Sequence, residues 1–230
     1  VDTLNDIFMH MCFAKTRILS PTGDVRPFSK DADGTVLGEG IGLLVIKRLA
    51  DAEKDGDRIY AVIRGIGSAS DGKSQSIYAP RPEGQALALR NAYSSAGIDP
   101  DTVELIEAHG TGTRVGDKVE FQALSQVFDG KTASGSDCAI GSVKSMIGHT
   151  KAAAGAAGLI KVIEHRIGGT AGVATGSGDK AGNVKRHRLS VEQIGVDFYV
   201  VGVNRAHPLG HPVGATGSRL IVTALQDRKS

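Results

Sequence analysis

Three times along this chain a short apolar run gives way to a stretch whose apolar positions recur at helical spacing. RIYAVIRGIGSAS leads to EGQALALRNAYSSAGI, VELIEAHG to VEFQALSQVF, and CAIGSVKS to AAAGAAGLIKVIEHR. Strands alternating with helices point to an α/β layered fold. The punctuation agrees: Gly97 ends the first of these helices and Asp99-Pro100 opens the next segment. Upstream, LNDIFMHMCFAKTRIL sets Leu4, Ile7, Phe8, Met11 and Cys12 at helical spacing, and SPTGDVRPFSKDADGT reads as a loop. IGLLVIKRL reads as a buried strand and LADAEKDGD as a short polar helix or turn.

Composition fits that pattern. The chain has 31 glycines, no Trp and only 4% aromatic residues, which suits tight strand–helix turns and close backbone packing. At 230 residues it can form one sizeable core. No apolar run approaches the roughly 20 residues of a membrane span. VDTLNDIFMH lacks the basic region of a signal peptide, and Cys12 and Cys138 make no disulfide framework, so a reducing cytoplasm is expected. The net charge of +2 is uneven: residues 1–162 hold 18 Lys+Arg against 20 Asp+Glu, residues 163–230 hold 9 against 5. Much of the excess lies in KAGNVKRHR. Without interleaved aromatics it reads as a solvated linker, and no nucleic-acid partner is expected.

The texture changes after residue 162. IGGTAGVATGSGDKAGN reads as a flexible connector, followed by a strand-like DFYVVGVN. This divides the chain into 1–162, a Gly-rich and basic linker at 163–190, and a segment at 191–230. GHTKAAAGAAGLI (148–160) and GHPVGATGSRLIV (210–222) match in Gly, His, Ala and Gly at an offset of 62. Each is expected to follow a strand and open a helix, a duplicated strand–GH–helix element.

Chemistry concentrates at two junctions. His109 follows an apolar strand and precedes GTGT, whose glycines let backbone approach a ligand closely. The hydroxyls of Thr111 and Thr113 can bond a polar chain such as an amide. His149 sits at a second strand–helix junction, five residues after Lys144. Two neutral imidazoles that converge can donate hydrogen bonds to one carbonyl oxygen and stabilise an enolate. Glu120 could reach Lys144 and hold it protonated. The same spacing equally suits two hydrogen-bonded loop histidines and a surface lysine. GEGIG leads into a strand rather than a helix, so it is a turn and not a dinucleotide site. His207 and His211 are separated by Pro and Gly with no further ligand nearby in sequence, so no metal is expected. Cys12 and Cys138 read as core residues rather than nucleophiles.

EAHGTGT, GDKVEFQAL, GSVKSMIGHTKAAAGAAGLIK and LSPTGDVRPFSKDADGTVLGEGIGLLVIKRL together resemble the β-ketoacyl synthase family, over residues 1 to about 162. TLNDIFMHMCFAKT and SASDGKSQSIYAPRPEGQALALR are most similar to synthases of the iterative enediyne and polyunsaturated fatty acid type. The resemblance implies a thiolase-like fold in αβαβα layers, represented here by the C-terminal half-domain. It implies an acyltransferase that carries out decarboxylative Claisen condensation of malonyl-acyl carrier protein with an acyl thioester. By the resemblance His109 and His149 polarise the malonyl thioester, Lys144 and Glu120 are the active-site lysine and its acidic partner, and Thr111 and Thr113 meet the phosphopantetheine arm. No bound cofactor is implied. The partners implied are acyl carrier protein, acyl and malonyl thioesters, and the N-terminal half of a synthase.

The departures matter too. The family's nucleophilic cysteine is expected upstream of Val1, so condensation by this chain alone is not expected. The family's GFGGTNAH-like loop is not found. VVGVNRAHPLGHPVGATGSRLIVTAL resembles a thiolase instead, which would make His211 a thiolase-like catalytic histidine. A chimera, a rearranged gene or a change of frame near residue 163 would each produce this junction. Two other readings follow from the departures: a non-catalytic partner that binds acyl groups or carrier protein, or a vestigial hybrid, and a thiolase-like acyltransferase acting on acyl-coenzyme A.

Overall fold

The computed structural model describes residues 1–72, 79–103, 105–128, 138–166, 197–204 and 218–223. Helix α1 spans Ile7–Lys15, capped by Asp6, whose carboxylate accepts the Met9 N–H at 2.8 Å. A loop leads to α2, Leu49–Asp55, and then to strand β1, Val62–Gly67. Helix α3, Pro82–Ala96, starts with Pro at its first position and stops at Gly97, whose φ of 64° lies in the left-handed region. A 3₁₀ turn at Pro100–Thr102 precedes β2, Leu105–Glu107. Then come α4 (Arg114–Phe128), β3 (Ala139–Gly141), the single turn α5 (Lys144–Ile147) and α6 (Ala154–Arg166). Strands β4, Asp197–Asn204, and β5, Ser218–Thr223, close the series.

These strands form one five-stranded sheet in the order β1-β5-β4-β2-β3. β2 runs parallel to both β3 and β4, while β5 is antiparallel to β4 and β1. α3 packs on β1 and α4, and α6 packs on β4 and β2. The contact of α3 with β1 explains a glycine inside the strand. A Cβ at Gly67 would lie 2.0 Å from the Ala88 carbonyl oxygen. The main core gathers Leu89, Ala92, Tyr93, Val103, Ile106, Ala108 and Leu124. Burying Leu89 or Leu124 stabilises by about 1.5–3 kcal/mol each. Phe128 meets Tyr93 edge to face, centroids 5.9 Å apart.

The helices and strands read from the three alternating pairs form where the pattern puts them, except that the strand in CAIGSVKS stops at Gly141 and its Lys144 and Ser145 open α5. Three expectations fail. IGLLVIKRL is not in a ladder: residues 41–48 carry no strand pairing, and Leu43 and Val45 are 86% and 95% exposed. Its Gly42 rests on α6, but no described strand lies beside it, so an apolar pattern made for two covered faces has only one. Cys12 is not a core residue: α1 buries none of its side chains, and Cys12 is exposed with Ile7, Phe8 and Met11. Ser218–Thr223 is strand β5, not the helix of a second strand–GH–helix element. SRLIVT has β-branched residues that suit a pleated surface, and both neighbouring strands are there to pair with it.

Candidate active site

β2 delivers Ala108 to Gly112 at its end, where the Ala108 N–H still bonds the Gly141 carbonyl of β3 at 2.7 Å. The chain then turns through Gly110 and Gly112, with φ of 39° and 75°. A Cβ at Gly112 would sit 2.6 Å from the Gly34 carbonyl oxygen, so both the turn and the loop beneath it demand glycine. Helix α4 holds this turn from below. One Glu120 carboxylate oxygen accepts the His109 N–H at 2.8 Å and the other accepts the Gly110 N–H at 2.8 Å. One helical turn earlier, Asp117 accepts the Gly112 N–H at 3.1 Å and the Phe28 N–H at 2.8 Å. Phe28 has a φ of 60°, and this bond fixes the 20–35 loop against the Gly-Thr turn. The side-chain oxygens of Thr111 and Thr113 bond each other at 2.9 Å on its half-buried rim.

The second junction starts at β3. Ser142 donates its hydroxyl to the His109 carbonyl at 3.2 Å, joining the two loops. Lys144 opens α5 and is buried. His149 is clasped by the 36–38 segment, its N–H bonding the Val36 carbonyl at 2.7 Å and its carbonyl taking the Gly38 N–H at 3.1 Å. The His149 Nδ1 accepts the Lys151 backbone N–H at 3.0 Å. A nitrogen that accepts carries no proton, so the neutral ring bears its hydrogen on Nε2 and is a donor there. The rings of His109 and His149 meet nearly at right angles, 85°, with centroids 5.3 Å apart.

Burial governs the charges. It pushes His149 down to about 3, with Lys144 and Lys151 adding to the effect, so the ring is neutral at ordinary pH. It pushes Lys144 down to about 8 against the pull of Glu120, Glu107 and Asp117. It pushes Asp117 up to about 6, helped by the charge on Glu120, despite the backbone N–H groups that favour the carboxylate.

The structure therefore brings together His109, His149, Lys144, Glu120, Thr111 and Thr113. Glu120 has a further role beside its charge on Lys144, since both its oxygens hold the histidine turn. His211 lies outside the described residues. Among the described residues no group of three or more His, Cys, Asp or Glu could hold a metal ion, and no helix is long and apolar enough to cross a membrane. Sequence reasoning missed Asp117, Ser142 and the buried pair of Glu107 and Lys161, 2.7 Å apart. A signal existed for the two acids: each is a carboxylate among residues whose pattern marks them as buried.

Residues 60–165 match the family model of the β-ketoacyl synthase C-terminal domain and residues 1–52 that of the N-terminal domain. The chain is 52% identical over 163 residues to a polyunsaturated fatty acid synthase polypeptide of Thraustochytrium sp., a match covering 70% of this chain and 6% of that protein. It is 50% identical over 151 residues to a phenolphthiocerol/phthiocerol polyketide synthase polypeptide of Mycobacterium bovis, covering 66% of this chain and 8% of that one. Among solved structures, the ketosynthase from module 6 of the bacillaene synthase of Bacillus subtilis 168 superposes with a TM-score of 0.80 at 35% identity, over 98% of this chain and 42% of that chain. The chain thus spans less than a tenth of the length of these curated relatives.

Proposed function

Given that the chain belongs to the β-ketoacyl synthase family and shares the thiolase-like α/β fold of its ketosynthases, we propose that this site handles the malonyl side of a decarboxylative Claisen condensation in polyketide or polyunsaturated fatty acid synthesis. The substrate on this reading is a malonyl thioester on the phosphopantetheine arm of an acyl carrier protein, and the product joins it to an acyl group. The observation that carries the reading is the perpendicular His109–His149 pair, with the His149 Nδ1 already occupied and its Nε2–H left to donate.

The chemistry follows from that pair. Decarboxylation breaks the bond between the malonyl α-carbon and its carboxylate, releasing carbon dioxide. The bonding electrons remain on the α-carbon, and the negative charge spreads onto the thioester oxygen. Imidazole N–H groups held in place beforehand stabilise that oxygen more than the ground-state carbonyl. A protonated His149 would be a stronger donor, but burial of the ring, and then the nearby Lys144 charge, disfavour it. Thr111 and Thr113 border the turn and suit the amide groups of the arm. The enolate carbon would then attack an acyl thioester and expel its thiolate.

The acyl-holding thiol of that last step is not assigned to this chain's cysteines. Cys12 is exposed on α1, and Cys138 packs against the core. We read residues 1–162 as the working unit. Incubating the full chain with malonyl-carrier protein labelled in the free carboxyl should release labelled carbon dioxide. His149→Ala should slow release by about 100-fold, the usual cost of losing one oxyanion donor. A radiolabelled acyl thioester should leave no stable label on the protein. Release that is absent, or untouched by His109→Ala and His149→Ala alike, overturns the proposal.

A further inference from the structure

Behind the histidine turn lies an ion pair that the proposed chemistry does not use. Lys161 of α6 and Glu107 of β2 keep only 6% and 3% of their side-chain surface in solvent. Burying such a pair is seldom worth more stability than a well-packed apolar pair in the same space, so its role here is sought elsewhere. Glu107 is tied on two further sides. Its other oxygen accepts the Val143 N–H at 2.5 Å, directly before α5 and Lys144. A Cβ at Gly158 would lie 3.1 Å from the Glu107 Cγ, so the backbone of α6 lies directly against the side chain. Lys161, one turn further along α6, then reaches the carboxylate.

Among the described residues, the charges that act on Lys144 come from three elements. Glu107 lies on β2, Asp117 and Glu120 on α4, and Lys161 on α6. His149 follows α5 and lies within the influence of Lys144. Glu120 and Asp117 are bonded to the Gly-Thr turn, and Glu107 alone of the three acids is bonded to the backbone that carries Lys144.

We propose that Glu107, fixed in place by Lys161, is a positioning residue that seats the start of α5, and with it Lys144, beside His149. The proposal deepens the condensing-enzyme reading by giving Lys144 its electrostatic support. Its test reads residue states rather than turnover, so the two can fail separately. The full 230-residue chain would be labelled on lysine, and Lys144 followed by NMR of its ammonium group against pH. In Glu107→Gln the midpoint should fall by about one unit, as expected for losing a nearby opposite charge. With Lys161→Met added it should fall by less, because the repulsion from Lys161 goes as well. Exchange of the Val143 amide should speed up about tenfold in Glu107→Gln, a charged acceptor having become a neutral one. The double variant removes both buried charges together and is the form that folds if the single one does not. A pair that served packing alone would leave Lys144 titrating at the wild-type midpoint in the folded variants, and that result overturns the proposal.

Discussion

Glu120→Gln isolates how the histidine turn is held. The wild-type carboxylate takes two backbone N–H groups, from His109 and Gly110, each at 2.8 Å. A glutamine has one acceptor oxygen, so its NH₂ must face the other N–H. One charged bond, worth about 1.5–3 kcal/mol, is lost outright, and the other becomes a neutral bond of about 1 kcal/mol. The orphaned N–H is buried at Gly110 or half-buried at His109, which adds about 1–3 kcal/mol of unmet desolvation. Relief of the repulsion between Glu120 and Asp117 returns part of this. The net expectation is a loss of more than about 2 kcal/mol, read as a lower urea midpoint at unchanged slope. Amide exchange should accelerate at His109 and Gly110 before it does so in the core of Leu89 and Leu124. A loss under about 0.5 kcal/mol, with both amides still protected, would refute the account of the turn as held from α4.

The pH dependence of Asp117 gives a second test. Its folded-state value near 6 lies above the ordinary 3.8, so the folded protein holds that proton more tightly than the unfolded chain. Its contribution therefore favours folding below about pH 3.8 and is lost as pH rises through 6, a swing of about 3 kcal/mol. His149 acts in the opposite sense, because its lowered value makes folding less favourable as pH falls below 6.5. Only the difference between wild type and Asp117→Asn isolates the acid: the wild type should lose its advantage between pH 4 and 6, and parallel curves would contradict the assignment. Finally, Gly67→Ala should cost several kcal/mol, because its Cβ would meet the Ala88 carbonyl oxygen at 2.0 Å, whereas Gly56→Ala, with open space around it, should cost only its φ strain of about 1 kcal/mol. Equal thermal midpoints for the two variants would refute the close contact of α3 with β1.

The sequence made local structure legible where one element both starts and stops on its own signals. Pro82 and Gly97 bracket α3, and the glycines after His109 mark the turn as one that a ligand can approach. The meeting of the two histidines was legible only in part: His109 follows β2 closely, whereas His149 lies beyond β3 and the turn α5, and the pairing of β2 with β3 brings the two segments together. The pair of Glu107 and Lys161 was not, since 54 residues separate them and each looks ordinary in its own segment. The role of Glu120 was half legible: a carboxylate that could reach Lys144 was readable, but not that both its oxygens serve backbone. The failures at 41–48 and 218–223 share a cause. An apolar, β-branched run states that it wants neighbours, but which strands supply them is decided elsewhere in the chain.

The way the His109 turn is anchored has a wider consequence. Glu120 grips the main chain of residue 109 and its successor, and Ser142 grips the same residue's carbonyl. These anchors ask nothing of the imidazole. Exchanging the side chain at 109 therefore removes none of these three bonds, and the segments they join stay tied through the main chain.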